Sequence, residues 1–290
     1  MKINNNELLS VAKQAAIAAG KVAREKFYQP LQVTNKGFRD YVTDADLAAQ
    51  DTIVRIIRAA FPDHGFLTEE EDAALPTEGP VIWVIDPIDG TTNYSRGIPI
   101  FCVSIAAVMN RSPLGEGDVL AGVIYDPMRD ELFSAELGGE TTLNGRPMHT
   151  SKTDKLELST IAADWNRIGC LRQETLDTVN RLVHDVDGIS CLASAALALA
   201  WVAAGRVDGY FNFSLQPWDM AAASLLIRQS GGSLVDLAGQ PLPIDGDNLA
   251  CMASNERLHE RLLEYLPDQI SMHKDLNLSE AGLIVKPTGS

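Results

Sequence analysis

Cysteines and basic residues are both few in this chain of 290 residues. The four cysteines stand far apart, with no C-x-x-C pair, which predicts buried free thiols. The chain has only 24 lysines and arginines against 39 aspartates and glutamates, which gives a formal net charge of −15. Such a charge argues against a nucleic-acid backbone or an anionic membrane as the main partner. An anionic substrate would therefore need a bridging metal ion or local dipoles.

Long apolar runs are missing as well. No run reaches the length needed to span a membrane, and residues 1–6 lack the apolar core of a signal peptide. We therefore expect a cytoplasmic location. The hydrophobic content of 46% is ample for a core, and the length fits one large domain or two ordinary ones.

The most informative stretch begins with an apolar run at residues 81–85, which predicts a buried strand. The strand leads into Asp86 and Asp89. Pro87 stiffens the turn at this point, so the two carboxylates and the Ile88 carbonyl can converge. Hard oxygen ligands of this kind suit Mg²⁺ rather than zinc.

Glycine and two hydroxyls follow the carboxylates directly. Gly90 permits a tight turn, and Thr91 and Thr92 can begin a helix whose free N–H groups attract a phosphate. Cation and anion sites would then lie side by side. An ordinary aspartate turn with helix capping is the alternative, and the strand, the glycine and both threonines together make it the weaker one.

The rest of the chain alternates predicted helices and strands. Helices are expected over residues 7–27 and from residue 43, the latter with Leu47 on its inner face. Strands within residues 101–137 predict an antiparallel sheet, and strands and helices alternate from there to a last helix at 256–266. The predicted division is an N-terminal half at 1–150, a C-terminal half at 151–266 and a tail at 267–290.

Three further acids can belong to the same site only if the fold brings them close to Asp86. Asp46 and Asp219 each stand in the first turn of a predicted helix, where an acid ordinarily complements the helix dipole. Glu69 begins a run of four acids that would ordinarily be solvated surface. Because it ends a short strand just before the next one, it can supply a metal ligand. Lys36 belongs to a polar segment that we predict to be a mobile loop whose cations can meet a phosphate.

Together, these motifs resemble those of the inositol monophosphatase family. The signature W-x-[IV]-D-P-[IL]-D-G-T-x-N matches residues 83–93, and the second signature, W-D followed by small residues, matches 218–223. Further agreement lies at residues 42–46, 69–70 and 143–145. The resemblance implies a layered αβαβα sandwich of the inositol monophosphatase and fructose-1,6-bisphosphatase type. It also implies Mg²⁺-dependent, lithium-sensitive hydrolysis of phosphomonoesters by a homodimer.

The resemblance further implies two cation sites in one active site. Glu69, Asp86 and the Ile88 carbonyl would hold the first Mg²⁺. Asp86, Asp89 and Asp219 would hold the second. A third, looser ion would lie near Glu69, and Mn²⁺ could substitute. Two metals bridged by one carboxylate can clamp both the attacking and the leaving oxygen of an in-line displacement.

The attacking group in this scheme is a metal-activated water. Thr91, hydrogen-bonded to Asp46 and close to Glu69, would orient that water and take up its proton. The N–H groups of Gly90 and Thr91, with Thr92 behind them, would bind the phosphoryl oxygens. No covalent phosphoenzyme is required.

Substrate choice is the point at which the family pattern weakens. The implied substrate contacts are Asp89, Ala193, Ser194, Ala195, Asn212 and Asp219. Inositol-specific members usually carry a glutamate at the position of Asn212, and an amide accepts hydroxyl protons more weakly than a carboxylate. Inositol monophosphate is the leading substrate, and NADP, 3′-phosphoadenosine 5′-phosphate, fructose 1,6-bisphosphate and histidinol phosphate are alternatives.

Two other interpretations compete with this one. A haloacid-dehalogenase-type phosphatase would use Asp44 and Asp46 as a D-x-D pair, but that pair belongs at the end of a buried strand and here begins a predicted helix. A protein of another class, a catalytically silent metal-binding regulator, could keep the same fold.

Overall fold

A computed structural model describes residues 4–37, 40–110, 118–166, 168–244, 246 and 248–267. The helices are α1 (Asn5–Phe27), α2 (Asp44–Ala60), α3 (Thr91–Ser95), α4 (Gly169–Leu182), α5 (Ala195–Ala203), α6 (Pro217–Gln229) and α7 (His259–Leu263). The first strands are β1 (Val33–Gly37), β2 (Asp40–Thr43), β3 (Gly65–Thr68), β4 (Val81–Asp89), β5 (Cys102–Met109), β6 (Val119–Asp126) and β7 (Glu131–Glu136). The remaining strands are β8 (Thr142–Leu143), β9 (Arg146–Pro147), β10 (Thr160–Ala163), β11 (Gly188–Ser190), β12 (Gly209–Leu215), β13 (Gly232–Val235) and β14 (Leu249–Asn255).

The elements form five layers in the order αβαβα, which confirms the predicted fold class. Helices α1 and α2 cover one face of a large sheet that runs from β3 to β9 in chain order. Helices α5 and α6 fill the space between this sheet and a small sheet of order β11-β10-β12-β14-β13. Helices α4 and α7 pack on the outer face of the small sheet. Each sheet is therefore covered on both faces.

Strand β4 lies inside the large sheet and carries the predicted site residues. It pairs in parallel with β3 and antiparallel with β5, and the later neighbours in the sheet are also antiparallel, as predicted. All of its residues are buried, because helices cover both faces; this explains the unbroken apolar run. The strand continues to Asp89 rather than ending at Ile85, and its pairing with β5 shifts register between Asp86 and Asp89. That irregularity lies between the two carboxylates, and both residues keep a pairing partner in β5.

The first helical layer also positions a candidate residue. Alanines line the buried stripe of α1, so this helix lies close to α2 and to the sheet. Thr43 caps α2 by accepting a hydrogen bond from the Ala45 N–H, while its own N–H donates to Asp46 (2.8 Å). The capping box thereby holds the Asp46 carboxylate, fully buried, at the start of the helix.

Several local predictions are corrected by the structure. Lys36 lies on strand β1 of a two-stranded hairpin with β2, not in an irregular loop. Leu47 is 51% exposed and does not belong to the inner face of α2. Among the predicted buried thiols, Cys191 is exposed and Cys170 only partly buried. The last helix, α7, is much shorter than expected.

The division at residue 150 stays a prediction. The large sheet ends at Pro147 and the small sheet begins at Thr160. The predicted tail lies outside the described residues from residue 268 onward. Among the helices that the structure describes, none is long and apolar enough to cross a membrane.

Candidate active site

A cleft of about 1130 Å³ opens where the large sheet, the middle helices and the small sheet meet. Most of the predicted site residues line it. They are Lys36, Glu69, Asp86, Ile88, Asp89, Gly90, Thr91, Thr92, Ala193, Ala195, Asn212 and Asp219. Two predicted residues, Asp46 and Ser194, are buried behind the lining.

Three carboxylates from two layers converge in this cleft. Asp86 and Asp89 come from β4, and Asp219 comes from the first turn of α6. One ligand atom from each lies within 4.8 Å of the others. Burial, and then the charges of Glu69 and Asp89, raise the pKa of Asp86 well above its ordinary value. Such repulsion is relieved by a cation, and hard carboxylate oxygens fit a divalent ion such as Mg²⁺.

Glu69 borders the same cluster at the end of β3. Although it is partly exposed to the cleft, surrounding protein removes most of its water. This desolvation, followed by the charge of Asp219, raises the pKa of Glu69 from 4.5 to about 8. A hydrogen bond with Asp86 acts in the opposite direction. Glu69 therefore lies within hydrogen-bond reach of Asp86, but it is not one of the three acids whose ligand atoms all lie within 4.8 Å of one another.

Thr91 connects the cluster to Asp46. Its hydroxyl lies 3.2 Å from Asp46 Oδ1 and 3.0 Å from the Ile88 carbonyl oxygen, so its one proton has two acceptors. Thr43 donates to the other carboxylate oxygen of Asp46 through both its N–H and its hydroxyl. Burial raises the pKa of Asp46 to about 6 despite these donors. Thr91, which lines the cleft, thus joins it by a hydrogen bond to an acid that is buried behind the lining.

Asp89 is held by Ser194 and the first turn of α5. The Ser194 hydroxyl (2.6 Å) and the Ala196 N–H (2.8 Å) donate to Asp89 Oδ2, and the Ala195 N–H donates to Oδ1 (3.3 Å). Ser194 is 1% exposed, so its predicted contact with substrate is corrected: its side chain supports Asp89 instead. Ala193 and Ala195 do face the cleft.

Gly90 makes the turn between β4 and α3. Its φ of 99° lies in the left-handed region, and an added Cβ would come within 3.0 Å of the Ile100 carbonyl oxygen. Helix α3 is a single short turn, but Gly90, Thr91 and Thr92 all line the cleft beside the carboxylates.

Two acids at the site were not among the predicted site residues. Glu70 is buried, and the Lys36 ammonium lies 2.5 Å from its Oε2, while its Oε1 has no hydrogen-bond partner. Asp164, just after β10, is also buried and lines the cleft near Asn212. The position of Glu70 in the run of four acids was visible in the sequence, but Asp164 had no motif around it.

Asp44, the first acid of the D-x-D alternative, lies elsewhere. It accepts a hydrogen bond from Lys26 (2.6 Å) and another from the Gln32 N–H (3.1 Å). It begins a helix rather than ending a buried strand, and it is not part of the cleft lining. This geometry argues against an aspartyl nucleophile at that pair.

Comparison with known proteins decides the family. A sequence model of the inositol monophosphatase family matches residues 4–271, nearly the whole chain. This chain belongs to the inositol monophosphatase family. The family consists of metal-dependent phosphomonoesterases, so the protein is a phosphoric monoester hydrolase, and the acidic cluster is a place where it can bind metal.

Relatives of this family member carry more than one name. The inositol-1-monophosphatase of Mesorhizobium japonicum is 39% identical over 267 residues, covering 91% of this chain and 97% of that protein. The Nus factor SuhB of Salmonella typhimurium is 37% identical over 268 residues, with the same coverage, 91% and 97%.

Solved structures of the family share the fold. The extragenic suppressor protein SuhB of Bartonella henselae is 36% identical with a TM-score of 0.82, covering 91% of this chain and 99% of that one. Inositol monophosphatase-II of Staphylococcus aureus, 28% identical, is known with inositol monophosphate bound (TM-score 0.73) and with 2′-AMP bound (TM-score 0.74). The alignments cover 89% of this chain and 93% and 94% of those chains.

Proposed function

We propose that this inositol monophosphatase family member hydrolyses inositol monophosphate with the help of Mg²⁺. The observation that carries the proposal is the convergence of Asp86, Asp89 and Asp219 at a cleft large enough for a phosphorylated metabolite. The name of the Mesorhizobium relative and the inositol monophosphate bound to the staphylococcal one support this substrate.

The acids are proposed to divide into two cation sites that share Asp86. Glu69 and the Ile88 carbonyl complete the first, and Asp89 and Asp219 complete the second. When bound, the cations supply Lewis-acid stabilisation of the phosphate oxygens and acidify a water. Each carboxylate then has an opposite charge beside it, which lowers its pKa. A third ion near Glu69 belongs to the same proposal.

Thr91 and Asp46 are proposed to prepare the water. The Thr91 hydroxyl points its proton at Asp46 or at the Ile88 carbonyl, so its oxygen lone pair can accept a proton from a water in the cleft. Asp46, with a pKa of about 6, can accept the hydroxyl proton in turn. Direct attack by water needs no covalent intermediate on the protein.

The phosphoryl and leaving groups are proposed to occupy opposite ends of the cleft. The N–H groups of Gly90, Thr91 and Thr92 would donate to phosphoryl oxygens. Ala193, Ala195 and Asn212 would contact the leaving group, and the ion pair of Lys36 with Glu70 also lines the cleft.

A substrate panel tests the proposal. Purified protein with Mg²⁺ is assayed for phosphate release from myo-inositol 1-phosphate, 2′-AMP, 3′-phosphoadenosine 5′-phosphate, NADP, fructose 1,6-bisphosphate and histidinol phosphate. We expect the highest kcat/KM for the inositol phosphate and loss of activity with EDTA. If another ester releases phosphate with a tenfold higher kcat/KM, that ester replaces inositol monophosphate as the proposed substrate. Phosphate release from none of them would favour the catalytically silent interpretation.

A nucleoside monophosphate is the second candidate, because an aromatic ring faces the cleft. Trp165 is 45% exposed in the cleft wall, and the Arg172 guanidinium lies 5.7 Å from its ring centroid. A nucleobase can stack on such a ring. Trp165→Leu should then lower kcat/KM for 2′-AMP more than for the inositol phosphate, and equal losses would remove this candidate.

We also propose a cytoplasmic homodimer without a nucleic-acid partner. The charge of −15 supports the last point, since it opposes binding to phosphate backbones. Light scattering should give twice the 31.4 kDa chain mass. RNA binding is measured directly, and saturable binding at physiological salt would refute the last point.

A further inference from the structure

A one-way chain of hydrogen bonds lies behind the leaving-group end of the cleft. It begins at Asn212, passes through the Tyr210 hydroxyl and ends at Asp164. Asn212 Nδ2 lies 3.0 Å from the Tyr210 oxygen, and that oxygen lies 3.2 Å from Asp164 Oδ2. Tyr210 is 1% exposed, so water does not compete for its hydroxyl. Asn212 and Asp164 both line the cleft.

The direction of the chain follows from fixed donors at its two ends. The Ser214 backbone N–H can only donate, so the Asn212 atom 2.9 Å away is the carbonyl oxygen and the amide NH₂ faces Tyr210. At the other end, the Ala193 N–H donates to Asp164 Oδ1 (2.6 Å), and the Cys191 thiol donates to the same oxygen (3.4 Å). Tyr210 therefore accepts from Asn212 and gives its only proton to Asp164.

We propose that Asp164 is a positioning residue that fixes the Asn212 amide through the buried Tyr210 hydroxyl. The inference deepens the proposed function, on which its catalytic test rests. Asn212 has one N–H and one oxygen lone pair left after its bonds to Tyr210 and Ser214. The cleft thus offers one donor and one acceptor in set positions, which suits a leaving group with neighbouring hydroxyls or a hydroxyl and an ether oxygen.

The chain of hydrogen bonds accommodates only one carboxylate. Asn212→Asp would place a second acceptor beside Tyr210, which has one proton to give, so two buried carboxylates would compete for it. Asp164→Asn would keep an oxygen for the Ala193 N–H but turn an NH₂ toward Tyr210, whose proton then lacks an acceptor. The exchange Asp164→Asn with Asn212→Asp restores one donor and one acceptor and reverses the chain.

Thermal unfolding of the unchanged protein, the two single variants and the exchange variant tests the chain of hydrogen bonds. We expect each single variant to lower Tm by about 3–8 °C and the exchange to recover at least half of the larger loss. A matched control pairs Asn212→Asp with Glu157→Gln, which has the same net charge as the exchange but changes an exposed residue. This control should show no recovery. Additive losses of Tm in the exchange variant, or recovery of Tm in the control, would contradict the proposed chain of hydrogen bonds.

The hydroxyl provides a second check. In a Tyr210→Phe background, Asn212→Asp and Asp164→Asn no longer share a proton, so their effects on Tm should become additive. Coupling that persists without the hydroxyl would contradict the assigned pathway.

Kinetics separates positioning from a structural role. With myo-inositol 1-phosphate and Mg²⁺, Asp164→Asn should raise KM about tenfold while kcat changes less than about threefold, since the loose amide binds the leaving group poorly. An unchanged KM in Asp164→Asn would leave Asp164 a structural residue only. If no ester is turned over, the proposed function fails, but the Tm measurements still test the chain of hydrogen bonds.

Discussion

Acids that repel one another are the main feature of the site at the scale of single residues. Asp86, Asp89 and Glu69 all have pKa values raised by burial, and neighbouring carboxylates raise those of Asp86 and Glu69 further. Folding alone does not favour such a cluster, and perturbed pKa values of this kind concentrate at functional sites. The hydrogen bonds from Ser194 and Ala196 to Asp89 hold one of these carboxylates in place.

Among the proposed cation ligands, Asp219 is one that an asparagine can replace without loss of its helix cap. Its Oδ2 accepts the Gln216 N–H (2.7 Å) as a helix cap, and the oxygen of an asparagine can do the same. Asp219→Asn should lower kcat at least a hundredfold, because it removes ligand charge, while the Tm of the metal-free protein stays equal or rises. Steady-state kinetics and calorimetry check both. Near-normal kcat would refute the assigned second cation site.

Ser194 should control metal affinity without touching a metal. Ser194→Ala removes the shortest hydrogen bond to Asp89, and such support of a ligand is worth about 10–100-fold in metal affinity. The matched control is Ser224→Ala, a buried serine whose hydroxyl bonds to the Ala221 carbonyl of its own helix. Titration calorimetry with Mg²⁺ should show weaker binding only for Ser194→Ala. Equal affinities would show that Asp89 needs no such support.

At the scale of elements, the strand–turn–helix unit from β4 to α3 carries most of the proposed cation ligands. The pairing of β4 with β5 shifts register between Asp86 and Asp89, both of which line the cleft, and the left-handed Gly90 makes the turn before α3. The first turn of α6 supplies the remaining acid of the cluster, with Pro217 as a suitable start. The ends of two elements therefore supply the three acids of the proposed cation site.

The turn at Gly90 should not accept a side chain. Gly90→Ala combines an unfavourable φ with contacts of 3.0 and 3.2 Å to the carbonyl oxygens of Ile100 and Ala193. Gly97→Ala is the control, because its φ of 71° is also left-handed but nothing lies within 4 Å of the added Cβ. Urea unfolding should show a loss of about 1 kcal/mol for Gly97→Ala and of about 1–3 kcal/mol more for Gly90→Ala. Equal losses would mean that the close contacts are harmless.

Local patterns predicted these elements well, because their signals lie within a few residues. The strand before Asp86, the helix start at Pro217 and the antiparallel sheet all followed from periodicity and turn residues. Contacts between distant segments could not be predicted in this way. Nothing around Asp164 indicates that Tyr210 will lie against it, and Ser194 looked like a substrate contact until the fold placed Asp89 beside its hydroxyl. Lys36 was misjudged because a polar strand exposed on both faces resembles a loop.

For the whole molecule, the cleft exists only while the layers stay together. Asp86 and Asp89 belong to the large sheet, and Asp219 belongs to the middle helical layer. The Ser104 hydroxyl of β5 donates to the Trp218 carbonyl (3.1 Å) and ties the two layers beside the site. A cation shared by these acids would add a second tie, so metal binding should stabilise the entire fold.

The stabilisation of the fold by a bound cation should depend on pH, because the acids of the site also bind protons. The pKa values of Asp46 and Glu69 rise from 3.8 and 4.5 to about 6 and about 8, so the metal-free folded state holds protons that the unfolded chain has released. Their contribution to the free energy of unfolding is complete below about pH 4 and is lost as pH rises to about 8. A divalent cation must displace those protons, and it therefore binds better at high pH.

Thermal unfolding measures this linkage. Mg²⁺ at about a hundred times its Kd at pH 8 should raise Tm by about 5–10 °C at that pH, and the same concentration should give a smaller shift at pH 5.5. Asp219→Asn, which lacks one ligand charge, should lose most of the shift at pH 8. A larger Mg²⁺ effect at pH 5.5 than at pH 8 would contradict the proton displacement.

The most direct test of the account is anomalous diffraction from crystals soaked in Mn²⁺, which locates divalent ions by their own scattering. We predict one peak between Asp86, Asp89 and Asp219 and another within reach of Glu69, Asp86 and the Ile88 carbonyl. Crystals without anomalous density at these carboxylates, or with the ion bound elsewhere in the cleft, would contradict the central claim.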